Sequence, residues 1–386
     1  TILLGCGAAG AGAGIFKAPL AGVLFTLEIL LFNISMSSIL PLLLSTISAT
    51  VVSYIFLGGA PPFQCTLSPF EMGNIPFYLI LGVFCGFVSL YFTRTTLFLE
   101  DKIKSIENPY KRWAFSALML GVLIYIFPPL FGEGYHVLES LLTGNPVEGL
   151  DHSLFSSLLN YRWFVPLFFL FVLVFKVFAM SFTNAGGGVG GTFGPTLIVG
   201  GIAGFILARV INLTGIHVLP EGNFVLVGMA GLMAGVMQAP MTAIFLIAEI
   251  TGGYELLMPL SITAAISFAT IRLFEPYSIY TKRIAKSGEL LTHDSDQAVL
   301  TLLKTSDLIE SDFVPLHLED NLGQIVKAVA KSRRNIFPVV DSHSKFQGIL
   351  FLDDVREIMF DREKYETVFV YNLMKEAPSK VNDEER

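Results

Sequence analysis

Two stretches laid over one another decide how this chain folds: "GAAGAGAGIFKAPLAGVLFTLEI" (Gly7 to Ile29) and "GMAGLMAGVMQAPMTAIFLIAEI" (Gly228 to Ile250). At a constant offset of 221 they share nine residues: Gly7/Gly228, Ala9/Ala230, Gly10/Gly231, Ala13/Ala234, Gly14/Gly235, Ala18/Ala239, Pro19/Pro240, Glu28/Glu249 and Ile29/Ile250. The shared pattern is small residues every three or four positions, then Ala-Pro, then an apolar helix ending in Glu. Small residues at that spacing let two helices approach closely. A Pro at a helix start gives up only an N–H that the first turn leaves unpaired anyway. Two such copies predict an internal structural repeat, with a substrate path at the repeat interface.

The first copy also invites a different reading. Ile2, Leu3 and Leu4 run into Gly5-x-Gly7-x-x-Gly10, and Glu28 follows about twenty residues later, which is the spacing of a dinucleotide-binding fingerprint. That reading predicts a strand before Gly5 and a membrane-bound dinucleotide-binding enzyme. The repeat argues against it, because Gly5 corresponds to Leu226 and the tight turn is not kept while the packing positions are. The expectation is therefore a protein that is not an enzyme.

Beyond the two copies the chain is greasy. Of its 386 residues 53% are apolar, 34 are Phe and 15% are charged, against roughly 25% charged in an average soluble domain. Of the charged residues, 29 fall in the first 300 positions and 28 in the last 86. This is a membrane body with a soluble tail. Ile39 to Leu57, Phe77 to Phe98 and Trp163 to Phe182 are long enough to cross a bilayer, which takes about 20 apolar residues. Residues 3–32, 192–213, 223–251 and 256–274 are expected to be broken by Gly and Pro into shorter pieces, as helices lining a cavity are. A net charge of −7 leaves no basic stripe for nucleic acid. Cys6, Cys65 and Cys85 have no paired spacing, and the six histidines form no ligand pair. The chain begins at Thr1, with no initiator Met, and is expected to start partway into a longer protein.

Between the copies lies "NAGGGVGGTFGPTLIVGGIAG" (Asn184 to Gly204), with glycines at 186, 187, 188, 190 and 191. Thr192 onward reads as a helix start. A helix N-terminus presents unpaired N–H groups and about half a positive charge, so it can hold an anion without a fixed cation. Thr192 and Phe193 are thus candidates for a buried anion site. Lys176 and Arg272, single charges on apolar runs, are expected to snorkel or pair.

Gly191-Thr192-Phe193-Gly194-Pro195 fits the GxFxP motif of the CLC chloride channels and proton-coupled chloride exchangers. "FKAPLAGVLFTLE", "FGEGYHVLE" (Phe131 to Glu139), "MQAPMTAIFLIAEITGGYELLMP" and "YSIYTKRIAKSG" (Tyr277 to Gly288) resemble CLC segments in CLC order. The resemblance implies an all-α polytopic membrane protein with an antiparallel internal repeat and broken helices, followed by a small α/β segment. It implies passage of chloride or a similar small anion, as a channel or an H+/Cl− exchanger, with fluoride or nitrate as alternatives. The central anion is then held by the backbone N–H groups of Thr192 and Phe193 and the hydroxyl of Tyr280, with Gly190, Gly191, Gly194 and Pro195 forming the pore loop. It further implies a homodimer in a cell membrane, in contact through the helices near 19–57 and 240–274.

Two family motifs, GSGIP with its serine ligand and G[K/R]EGP with its gating glutamate, are not in this chain, so about the first six helices of the family are expected to lie upstream. Proton-coupled members commonly carry two adjacent acids at the end of the Ala-Pro helix; here Glu28 is followed by Ile29. Isoleucine carries no proton, which puts coupling in question and leaves Glu28 as the candidate proton-path residue. A role for Glu28 and Glu249 in tying down a helix end fits their position equally well.

After Gly288 the sequence reads strand, helix, strand, strand, helix. "IFPVVD", "DSHSK" and "GILFLDDV" resemble a CBS repeat, which places the membrane domain at 1–293, a CBS repeat at 294–367 and the start of a second, truncated repeat at 368–386, on the cytoplasmic side. No cofactor is expected. An adenine nucleotide is the only ligand the resemblance offers this segment: Asp354 falls where the ribose-binding acid would be, but Phe351 replaces the usual Ser or Thr.

Overall fold

A computed structural model describes residues 2–29, 36–59, 63, 67–148, 154–158, 161–286 and 312–377. The chain forms two compact units, residues 1–290 and 291–386. The boundary expected between 293 and 294 and the end of the chain beyond residue 377 lie outside the described residues.

The larger unit is helical. The first repeat copy folds as α1 (Ile2–Phe16) and α2 (Pro19–Ile29), followed by α3 (Met36–Leu57). Then come α4 (Ile75–Lys104), α5 (Pro109–Ile126), the short α6 (Tyr135–Leu142), α7 (Phe164–Gly186) and α8 (Phe193–Thr214). The second copy gives α9 (Glu221–Met237) and α10 (Pro240–Ile250), followed by α11 (Leu257–Arg272) and α12 (Ile279–Lys286). Four of these helices are long and apolar enough to cross a membrane: α3 from Ile39, α4 with the turn before it, α7 and α8.

The breaks fall where the repeat predicts them in two places. Between α1 and α2, Lys17 takes a left-handed backbone with φ 52°; at the equivalent point between α9 and α10, Gln238 takes φ 53°. Side chains rarely accept this conformation, and both are held by the same tie. Lys17 Nζ donates to the carbonyl of Gly58, just past α3, at 2.7 Å, and Gln238 Nε2 donates to the carbonyl of Glu275, just past α11, at 2.9 Å. Residues 192–213 and 256–274 differ from expectation, for each is essentially one uninterrupted helix. In α8, Pro195 sits in the first turn, where a missing N–H costs nothing, and Gly200 and Gly204 are pressed against α9. A Cβ on Gly200 would lie 2.5 Å from the carbonyl oxygen of Gly228. Glycine costs about 1 kcal/mol of helix propensity, and this close approach offsets it. Helix α5 opens with "PYKRW"; Asn108 caps it, accepting from the amides of Tyr110 and Lys111 at 3.0 and 3.2 Å.

Ile2 to Phe16 is a single helix, so Gly5, Gly7 and Gly10 lie on a helix and not in a strand-to-helix turn. The dinucleotide reading loses its structural premise. The glycines kept between copies serve packing instead: Gly10 meets Ser45 of α3, and its counterpart Gly231 meets Thr263 of α11. The aromatic residues pack on one another as well, with Phe127 ringed by Phe155, Phe168, Phe171 and Phe175 at centroid distances of 5.4 to 6.1 Å.

The smaller unit has the predicted element order: β1 (Leu316–His317), α13 (Leu322–Lys331), β2 (Ile336–Val340), β3 (Phe346–Phe351) and α14 (Leu352–Arg356), then a further short helix α15 (Val370–Leu373). Strand β2 is central, parallel to β1 and antiparallel to β3. Phe337 and Val339 alternate inward from β2 onto Leu322, Ile325 and Leu350, the period-2 pattern of a strand covered on one face. A capping box of Asn321 and Gln324 starts α13.

Candidate functional site

The two repeat copies meet through their acids. Glu28, at the end of α2, accepts from the backbone N–H of Met241 at 3.1 Å, and from the N–H and hydroxyl of Thr242 at 2.7 and 2.6 Å. Glu249, at the end of α10, accepts from the N–H groups of Leu20 and Ala21 at 3.0 and 2.9 Å. Each carboxylate satisfies orphan amides in the first turn of the other copy's Ala-Pro helix. Because the partners are themselves equivalent at the offset of 221, a two-fold relation exchanges the copies.

A cavity of about 990 Å³ opens at this interface, and Ala21 and Thr242 both line it. The glycine loop supplies Gly190, Gly191, Phe193, Gly194 and Pro195 to its wall. The ring of Phe193 packs against Phe16 and Phe25, at 5.0 and 5.8 Å between centroids, so the start of α8 is fixed against the first copy. The amides of Phe193 and Gly194 open α8 and have no carbonyl one turn back, which makes this wall a donor surface.

Thr192 precedes α8 and does not use its hydroxyl to cap it. The hydroxyl donates instead to the phenol oxygen of Tyr280, 2.8 Å away on α12, which leaves the phenol proton free to donate elsewhere. Thr192 is 2% exposed. Of the residues predicted for the site, Thr192 and Tyr280 are thus brought together, and Phe193 with the four loop residues lines the cavity. Thr192 and Tyr280 are not themselves among the lining residues. Glu28 does not line the cavity, but Thr242, which donates to it, does.

A further part of the wall was not read from the sequence as part of a site. Lys176 is 2% exposed and does not snorkel; its ammonium donates to the carbonyls of Gly132 at 2.9 Å and Leu130 at 3.2 Å, and it lines the cavity. Gly132 and Gly134 adopt φ 61° and 89°, and the turn they form brings these carbonyls round. Glu133, Tyr135, His136 and Glu139 line the same wall. The "FGEGYHVLE" stretch carried the signal, since a lone Lys on an apolar helix needs acceptors and two left-handed glycines can turn carbonyls toward it. Arg272 pairs with an aromatic face, 5.3 Å from the centroid of Phe268.

The chain is similar to known proteins. The chloride channel protein CLC-e of Arabidopsis thaliana is 32% identical over 281 residues, covering 66% of this chain and 38% of that protein. The H(+)/Cl(-) exchange transporter ClcA of Salmonella paratyphi B is 29% identical over 306 residues, covering 77% of this chain and 60% of that protein. The chain therefore spans less than two thirds of the length of either relative. The crystal structure of a CLC-type fluoride/proton antiporter shares the fold, with a TM-score of 0.58 at 22% identity over 72% of this chain and 64% of that one. So does the structure of a slow cyanobacterial Cl−/H+ antiporter, with a TM-score of 0.58 at 24% identity over 74% and 64%. The sequence profile described as voltage gated chloride channel matches residues 1–272, most of the chain, and the chain belongs to that family.

Proposed function

We infer that this chain forms part of a multi-pass membrane protein that passes chloride or a similar small anion, with the anion held where α8 begins. The observation that carries this reading is the pairing of Thr192 and Tyr280 at 2.8 Å beside the first-turn amides of α8. N–H dipoles and a hydroxyl can replace part of an anion's hydration shell without binding it so tightly that it cannot leave. The names of the relatives supply chloride as the first anion to test.

Supporting features extend the reading. Large apolar residues face outward on the helices after each Ala-Pro, among them Leu44, Ile47 and Val51 on α3 and Met241 on α10, which suits a homodimer formed through these faces. The smaller unit takes the part of a cytoplasmic CBS segment. There Lys375 pairs with one carboxylate oxygen of Asp354 at 2.7 Å and lies 5.9 Å from the ring of Phe351, which supports a dimer-stabilising or gating role for the segment over nucleotide sensing.

Anion flux from liposomes carrying the reconstituted protein tests the assignment. Tyr280→Ala combined with bulky residues at Gly191 and Gly194 is expected to abolish chloride flux, and unchanged flux would overturn the site. Fluoride and nitrate in the same assay rank the anions.

A further inference from the structure

Helix α12, which carries Tyr280, is short. It spans eight residues, and Ile279 is its fully buried apolar anchor among the described side chains. Isolated helices of this length are unstable in water, so contacts with the rest of the unit must fix it. Two buried acids supply them. Glu275, in the link before α12, takes Nε of Arg94 at 2.7 Å on one carboxylate oxygen and Nζ of Lys282 on the other, while its carbonyl accepts from Gln238. Glu100, near the end of α4, takes the guanidinium of Arg283 at 2.5 Å and lies 3.6 Å from Nζ of Lys104. Each acid is 5% exposed. Lys282 and Arg283 follow Tyr280 by two and three residues, so both ion pairs act within one turn of the phenol.

We propose that Glu100 and Glu275 are positioning residues which clamp α12 onto α4 and so keep the hydroxyl of Tyr280 on Thr192. Neither acid touches the anion. The proposal rests on the assignment of Tyr280 to the anion site for its effect on transport, but the clamp itself is a statement about where residue 280 sits. A buried acid that loses its cation, or a cation that loses its acid, is left with an uncompensated charge, and α12 relieves this by moving away from α4. Exchanging the charges of Glu100 and Arg283 keeps an ion pair between α4 and α12.

The test has a positional and a functional arm. In protein carrying Tyr280→Cys, the rate of modification by a water-soluble thiol reagent, read by mass spectrometry on the peptide containing residue 280, is expected to rise at least five-fold on adding Glu100→Gln or Glu275→Gln. The exchange Glu100→Arg with Arg283→Glu should bring the rate back to within two-fold of its starting value. Unchanged rates in the Gln variants, or failure of the exchange to restore the rate in protein that still elutes as folded, would overturn the clamp. In the functional arm, Glu275→Gln is expected to change the chloride-to-nitrate flux ratio at least three-fold when Tyr280 is present and under 1.5-fold in Tyr280→Phe protein; an equal change in both backgrounds also overturns it. If Tyr280→Phe alone leaves chloride flux intact, the anion-site assignment fails, while the thiol rates still decide the clamp.

Discussion

Glu28 and Glu249 hold each other's helices: each sits at the end of one Ala-Pro helix, and each carboxylate accepts from the first-turn amides of the other. One position, repeated at an offset of 221, thereby performs the same task twice. The carboxylate of Glu28 is engaged by three donors, which describes a helix-end anchor, and the neighbouring Ile29 is buried and has nothing to titrate.

Equivalent roles predict equivalent costs. Glu28→Gln and Glu249→Gln should each lower stability in detergent by about 1 kcal/mol, the usual scale for losing a helix cap. Because α2 packs on α10, the double variant should depart from additivity by about 0.5 kcal/mol or more. Chemical or thermal unfolding of the four proteins checks this; a loss confined to one of the two acids would contradict the two-fold relation.

Ile29 leads to a prediction on coupling. Under opposed chloride and pH gradients, the reversal potential of the reconstituted protein should follow the chloride gradient alone. A steady displacement toward the proton equilibrium would show that protons travel by a route that does not need residue 29.

Tyr280→Phe removes one hydroxyl and leaves that of Thr192 without its acceptor. Loss of one such hydrogen bond is worth about 1.4 kcal/mol, or tenfold in affinity. Calorimetric titration of chloride should show that drop, with a smaller change in stability.

Glu275 makes the α12 clamp sensitive to acid. Burial works to raise its pKa, but the hydrogen bonds and charges of Lys282 and Arg94 outweigh burial, so the carboxyl sits below the usual carboxylate range. A group whose pKa is lowered on folding contributes stability that is complete above its unfolded pKa and is lost as pH falls through the folded one. The difference in melting temperature between the parent protein and Glu275→Gln should therefore be constant near neutral pH and shrink below the ordinary carboxylate range. A gap that widened on acidification would contradict the assignment.

Gly7 and Gly228 occupy the same repeat position but face different surroundings. A Cβ on Gly7 meets nothing within 4 Å, whereas one on Gly228 would run into Gly200 and Gly204. Gly7→Ala should be neutral or stabilising by up to about 1 kcal/mol, and Gly228→Ala should cost about 1–3 kcal/mol. Unfolding midpoints of the two single variants settle the contrast.

The amino-acid sequence by itself determined the repeat, the membrane class, the helix breaks at Lys17 and Gln238, and the start of α8 at the glycine loop. These follow from local rules, since small-residue spacing, a Pro at a helix start and a glycine run act within a few residues of where they stand. It did not determine that residues 192–213 stay one helix, because that depends on α9 pressing against Gly200 and Gly204. Nor did it determine that Lys176 turns to the carbonyls of Leu130 and Gly132, or that Glu100 and Glu275 hold the helix of Tyr280. Those acceptors and ions lie up to 183 residues away along the chain. A buried charge must find a partner, but which partner is decided only when the tertiary fold brings distant segments within hydrogen-bonding reach.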